Sequence, residues 1–297
     1  MAGAAMSRRS GRAGEALAGY AMLAPSLFGL LAFLAVPIGV VVWLSFQNWD
    51  LIAPLRPVGL ANWRDVLTDP DFGHALLVTA LFALMVVPVQ TALALLLAVL
   101  LTRGLPGSAL FRVIYVIPWV CAPLALGLVW KWIFAPSYGA LNAVLGTHTA
   151  WLTEPALALP AIAAVTIWSQ VGYVTLFFIA GLSQIPDHLL EAARVDGAGP
   201  VRVFFSITLP LLRPTMFFVL VTSVISAFQV FDTVYALTQG GPQGATDVVA
   251  YAIYHEAFTA FDLGHAAVMA LVLFAVLVVV TLAQQLYFRR RISYEIG

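Results

Sequence analysis

The chain has 297 residues, of which 62% are hydrophobic and 9% charged, against about 25% charged in an ordinary soluble domain. A soluble globule must keep a charged shell in water, so this composition excludes one and points to a protein bathed in membrane lipid. Net charge is zero with no basic run, which excludes a nucleic-acid partner, and the single cysteine, Cys121, excludes an internal disulfide or thiolate metal cluster.

Charge-free runs follow one another along the chain. There are 34 residues without Asp, Glu, Lys or Arg between Glu15 and Asp50, 31 between Asp71 and Arg103, and 18 between Arg112 and Lys131. Three more follow: 32 between Glu154 and Asp187, 18 between Arg213 and Asp232, and 26 between Asp262 and Arg289. Each reaches the ~18 apolar residues that a helix needs to cross ~30 Å of hydrocarbon. Six such runs leave no charge for a wet helix face, so long buried helices of a soluble fold do not fit.

The fold class is therefore an all-α membrane protein with six transmembrane helices, at about 19–46, 75–101, 110–134, 157–182, 214–237 and 265–287. They form one six-span domain, 17–288, between an N-terminal segment 1–16 and a tail 289–297. Pro25, Pro37, Pro88, Pro118, Pro123 and Pro160 interrupt the first four spans, each removing a backbone donor that neighbours must make good in lipid. No internal repeat supports an inverted-repeat transporter.

Lys and Arg set the orientation, because cytoplasmic loops carry the excess. With the N-terminus inside, Arg8, Arg9, Arg12, Arg103, Arg112, Arg194, Arg202, Arg213, Arg289, Arg290 and Arg291 are cytoplasmic, 11 of the 14 basic residues. Arg56, Arg64 and Lys131 fall outside. Both termini are then cytoplasmic. The first apolar segment is too long for a cleaved signal peptide and lacks a convincing cleavage site.

Several chemistries are missing. A phosphate-binding loop needs a lysine after its glycines, and the one lysine, Lys131, stands between Trp130 and Trp132 with no such loop. His255 and Glu256 are followed by Thr259 where a zinc-protease helix would place its second histidine. A serine intramembrane protease would have to use Ser183 and His265, which this topology puts a membrane thickness apart, whereas nucleophile and base must sit within ~3 Å. The span cores hold no ionisable group of the kind that pumps use. No catalytic, cofactor-binding or metal-ligating residue is assigned, and any energy must come from another chain.

The connector between spans four and five, 183–210, is different. Asp187 can cap a helix after Pro186. Leu189, Leu190 and Ala193 would share one face, with Glu191, Arg194 and Asp196 turned away. Gly197 to Gly199 stop this helix, and Pro200 begins another through Val201, Phe204 and Phe205. About nine residues cover ~14 Å, so the first helix lies along the membrane surface. Two readings stand side by side: an amphipathic helix resting on headgroups, or a docking knob for a soluble partner.

Glu191-Ala192-Ala193, three residues, Gly197, nine residues and Ile207-Thr208-Leu209-Pro210 resemble the EAA loop of permease subunits in binding-protein-dependent ABC importers. The resemblance extends from Ala24-Pro25-Ser26 to the stretch Phe231-Asp232-Thr233-Val234-Tyr235-Ala236-Leu237-Thr238-Gln239-Gly240-Gly241-Pro242. It is strongest to the maltose-type, carbohydrate-uptake group. Trp49-Asp50-Leu51, Val58-Gly59-Leu60-Ala61-Asn62-Trp63 and Tyr115-Val116-Ile117-Pro118-Trp119 look closest to the A-type permease of glycerol-3-phosphate or glycerophosphodiester importers.

This resemblance implies a second permease subunit, two ATPase subunits that bind ATP and Mg, and an extracytoplasmic solute-binding protein. It implies a bacterial cytoplasmic membrane. Glu191, Ala192, Ala193, Asp196, Gly197, Ile207, Leu209 and Pro210 would couple to the ATPase, with Glu191 pairing to a basic group there.

Inside the bundle, Trp168, Gln170 and Tyr173 bring polar groups into span four, either to line the pathway or to join helices. Asp232 either caps the end of span five or pairs with Lys131, or it stands with Gln229 and Tyr235 at the outer mouth. Gly240, Gly241 and Pro242 form a turn suited to binding-protein docking. No cationic pocket for a phosphate is evident in the spans, so a neutral sugar fits as well as a phosphate ester. A stand-alone channel for small polar solutes is the alternative function.

Overall fold

The computed structural model describes residues 19–102 and 107–289. Arg8, Arg9, Arg12, Arg103, Arg290 and Arg291, with the segment 1–16 and the tail after Arg289, lie outside the described residues.

The first span is helix α1, Gly19–Leu44. A π-helical turn at Leu31–Ala35 lets Val36 N–H bond to Leu31 oxygen one residue before Pro37. That wider turn makes room for a ring that would collide with the carbonyl four residues back. Two short strands, β1 at Gln47–Asn48 and β2 at Arg56–Pro57, pair antiparallel. Helix α2, Ala61–Thr68, follows, and the buried Asn62 amide donates to the Ser45 and Gln47 carbonyls.

Helix α3, Pro70–Leu101, is the longest at 32 residues. It pairs along its length with α7, Pro155–Leu182. Val78, Phe82 and Val86 of α3 meet Leu159, Ile162 and Val165 of α7, while Ala94 and Ala98 meet Val174 and Phe178. Early residues touch early residues and late touch late, so the two run in the same direction. Helix α10, Arg213–Phe228, runs back against both, bringing Val219 to the late end and Ala227 to the early end.

The expected third span is broken. Helix α4, Ser108–Val120, and helix α5, Pro123–Ile133, meet at 97°. Pro123 drives its predecessors out of the helical region, and Cys121 and Ala122 are extended (ψ 149° and 122°). At 13 and 11 residues, each half covers roughly 20 Å or less and neither crosses hydrocarbon alone. Five helices are thus long enough to cross, with Arg213–Leu237 counted as one, or six if the bent pair also counts as a span. Pro88 and Pro160 stay inside continuous helices.

Span five also ends early: Gln229 and Phe231 leave helical geometry before α11, Asp232–Leu237, resumes. Helix α11 packs on α5. Small helices complete the chain: α6 at Ala140–Leu145, α8 at Asp187–Val195, α9 at Pro200–Leu211 and α12 at Val249–Phe258. Helix α13, Leu263–Arg289, is the last span.

Two ends follow from these directions. Helices α2, α5, α6 and α12 gather where α3, α7 and α13 begin; α8 and α9 lie where α3 and α7 finish. Of the described cations, Arg56, Arg64 and Lys131 fall at the α12 end, while Arg112 bonds the Leu101 carbonyl at the α8 end with Arg194, Arg202, Arg213 and Arg289.

Core polar groups are mostly satisfied from within. Thr166 and Thr175 donate to carbonyls one turn back, and Thr79 both donates to Ala75 oxygen and accepts from the Val249 N–H. Gln90, 1% exposed, has no hydrogen-bond partner for either amide atom.

The α4–α7 contact is tight. A Cβ on Gly172 would collide with the Tyr115 carbonyl carbon and oxygen, which are backbone and cannot swing aside. Gly172→Ala is therefore expected to destabilise the protein by about 1–3 kcal/mol through overpacking. The measurement is a fall in thermal midpoint in detergent relative to a Gly73→Ala control, where a Cβ meets open space.

Candidate functional site

Irregular backbone at membrane depth is tolerated only where it is buried in protein or lines a water-filled cavity. The two breaks, at Cys121–Ala122 and Gln229–Phe231, share one. A cavity of about 210 Å³ is walled by Pro118, Trp119, Cys121 and Pro123 from the α4–α5 corner. Thr166, Ser169 and Gln170 of α7 supply a second wall, and Ser226, Gln229, Asp232 and Thr233 a third. These are hydroxyls, amides and one carboxylate, with no Lys or Arg among them.

Of the residues expected to face a pathway, Gln170, Gln229 and Asp232 reach this cavity. Tyr173 stands behind it, stacked on Trp119 with centroids 4.1 Å apart and planes at 3°. Trp168 instead packs edge-on to Trp130 at 5.2 Å, joining α7 to α5. Tyr235 packs against Phe231 and Tyr254.

Asp232 neither caps span five nor pairs with Lys131. It is the first residue of α11, where a carboxylate favours the positive end of the helix. Lys131 lines a different cavity of about 420 Å³, with Tyr138, Leu152, Gly241 and Pro242. The turn at Gly240 to Pro242 therefore borders a recess at the α12 end. Trp119, Thr166, Ser169 and Ser226 were not among the pathway residues expected from the sequence; the prolines at 118 and 123 were the one signal that could have located the corner.

Near that turn, one Asp247 carboxylate oxygen is buried without a partner. Burial raises its carboxyl above the ordinary range, and the nearby His255 and His74 offset this in part. The folded state then binds this proton more tightly than the unfolded state. The cost of the charge is present above the folded-state pKa and is relieved as pH falls through it toward 3.8. Asp247→Asn is expected to raise the thermal midpoint at neutral pH and to remove that component of the pH profile, as thermal-shift curves across the acid range would read.

Helix α8 carries the second candidate site. Asp187 is its first residue, not its cap; Pro186 holds the cap position. Leu189 and Leu190 are half-buried and Ala193 is 8% exposed, so the apolar face is already covered by the protein itself. That leaves little of this face for headgroups. Glu191, Ala192, Arg194 and Asp196 are exposed, and so is Val195, at 87%. The helix closes with Gly197 N–H bonding to Arg194 oxygen and Ala198 N–H to Ala193 oxygen, both donors brought round by Gly197 at φ +77°.

Ile207, Leu209 and Pro210 are half-buried in α9, away from the exposed tip of α8. There, too, a π-helical turn, Phe204–Thr208, ends one residue before the last helical donor ahead of proline: Leu209 N–H bonds Phe204 oxygen, and Pro210 follows. Arg194 and Arg202 line the same end as Glu191.

A bent bundle with a polar cavity at its breaks, and a rigid helix exposed at one end, defines a membrane permease subunit. Residues 90–294 match the family described as binding-protein-dependent transport system inner membrane component, and the chain belongs to it. It is 36% identical to the probable ABC transporter permease protein YesP of Bacillus subtilis, over 90% of this chain and 88% of that one. It is 34% identical to the sn-glycerol-3-phosphate transport system permease protein UgpA of Brucella abortus, over 93% and 96%. Its fold matches a chain from a bacterial ABC transporter involved in alginate import with TM-score 0.83 at 22% identity, covering 96% of this chain and all of that one. The protein is a non-catalytic transport component of an ABC importer.

Proposed function

We propose that this chain forms half of a translocation pathway with a second permease subunit. Two ATPase subunits, which bind ATP and Mg, dock at the α8 end, and an extracytoplasmic solute-binding protein docks at the α12 end beside Gly240, Gly241 and Pro242. Both termini then lie in the cytoplasm, as the distribution of arginines implies. The observation that carries this reading is α8: its apolar face is occupied within the chain, so the exposed face of Glu191, Ala192, Val195 and Asp196 is left for another protein.

In this reading α8 is a lever. Gly197 gives the turn that lets it stand off the bundle, and Ala192 permits close approach of a partner surface. Glu191 supplies the charge for a basic group. ATPase closure displaces α8, and the bent α4–α5 pair shifts against α11, opening the cavity to one side or the other.

The solute is small and polar: a sugar, or a glycerol phosphate ester of the kind for which the Brucella relative is named. The cavity bears Asp232 and no cation, so it suits a neutral polyol better than an anion, and recognition of a phosphate would rest with the binding protein.

Glu191→Ala and Gly197→Val are expected to abolish uptake in reconstituted vesicles, or to uncouple ATP hydrolysis from it, with membrane insertion unchanged by immunoblot. Full uptake by both variants contradicts the lever. Copurification separates this reading from a stand-alone channel, because a channel brings down no ATPase. Asp232→Asn is expected to raise uptake of a phosphate ester relative to a neutral sugar, and an unchanged ratio removes the cavity from the pathway.

A further inference from the structure

At the α12 end, away from the cavity, three carboxylates converge on one imidazole. His265 opens α13, Asp262 immediately precedes that helix, Glu256 lies on α12 and Asp65 on α2. His265 Nδ1 is 3.1 Å from Asp262 Oδ2 and 3.6 Å from Glu256 Oε1. The three ligand atoms all lie within 4.8 Å of one another.

Bonds of about 2.0–2.2 Å at tetrahedral angles put ligand atoms roughly 3.3–3.6 Å apart; the 3.1 and 3.6 Å separations around Nδ1 bracket that spacing, so small side-chain shifts would close the three donors on one ion. Two further details favour ligation over a simple ion pair. Asp262 Oδ1 accepts the His265 backbone N–H at 3.0 Å, which fixes the carboxylate and leaves Oδ2 turned toward the imidazole. Asp65 Oδ2 approaches the other ring nitrogen, Nε2, at 3.9 Å. A carboxylate behind the far nitrogen is how metal-bound histidines are commonly oriented and made more basic.

Charge points the same way. Among the described residues, Asp65, Glu256 and Asp262 make their ion pairs with this one imidazole, so three negative charges face at most one positive charge. The ligand side chains are about three-quarters buried. A divalent cation would balance the group where a single proton cannot.

We propose that Glu256, Asp262 and His265 bind a divalent transition-metal cation of the Zn²⁺ class, with Asp65 as the orienting carboxylate. One imidazole nitrogen and two carboxylate oxygens suit such a cation better than Mg²⁺ or Ca²⁺, which take all-oxygen sites. The bound ion ties α12 to the start of α13 and, through Asp65, to α2. It thereby fixes the segment that follows the Gly240–Pro242 turn. This site is independent of α8 and of the solute pathway.

The test is calorimetric titration of ZnCl₂ into the chelator-stripped full-length protein, in whatever assembly it purifies. The parent is expected to take up one Zn²⁺ per chain that His265→Ala loses and Glu256→Gln binds far more weakly. Asp65→Asn should keep the stoichiometry and lower affinity roughly 10–100-fold. Glu256→Gln preserves side-chain shape, so it still reports if His265→Ala does not fold. Unchanged Zn²⁺ affinity in Glu256→Gln, or no saturable uptake by the parent, overturns the site. Displacement of Zn²⁺ by equimolar Mg²⁺ overturns the assigned class.

Discussion

The structure turns on a backbone constraint. In hydrocarbon every N–H and C=O needs a partner, and a helix supplies them all from within itself. This chain gives up that self-sufficiency at two places, Cys121–Ala122 and Gln229–Phe231, and both face the same polar cavity. The rest of the bundle can be understood as the frame that makes these breaks tolerable. The α3–α7 pair is long, unbroken and packed along its whole length, so the two short, interrupted segments have a rigid wall to rest on. Trp119 stacked on Tyr173 fastens one side of the corner to that wall, and Gly127 against Ala236 fastens α5 to α11.

Proline acts differently at each position, and the differences are physical. Pro123 starts a helix and forces extended geometry on the residues before it, so the chain turns a corner. Pro37 and Pro210 are each preceded by a π-helical turn that widens the helix, so the chain continues with little change of direction. The first arrangement makes a cavity wall. The second preserves a continuous helix. A proline count cannot distinguish them, and Pro88 and Pro160 sit in continuous helices with neither device.

That is why the sequence was legible to different depths in different regions. The long spans are visible as runs without charge, since the cost of an ion in lipid is large and independent of packing. Helix α8 is visible because Leu189, Leu190 and Ala193 are spaced by the helical repeat and Gly197 stops the run. The corner in span three was hidden: its 18 uncharged residues between Arg112 and Lys131 satisfy a length test that says nothing about dihedral angles. Trp168 was open to lining the pathway or joining helices and does the second, against Trp130, while Tyr235, read as standing at the outer mouth, packs its ring against Phe231 and Tyr254. Ser226 and Thr166 look unremarkable in sequence and reach the cavity only through the turn of their helices.

Helix α1 stands apart from this frame. Its outward side chains, Met22, Phe28 and Phe33 among them, are exposed on every side, and only its second half, from Val36 to Leu44, leans on α13. The fold therefore leaves the tilt of its leading half undetermined from within. Acyl chains or an adjoining subunit must set that angle, which makes this helix an outrigger whose posture is borrowed from its surroundings.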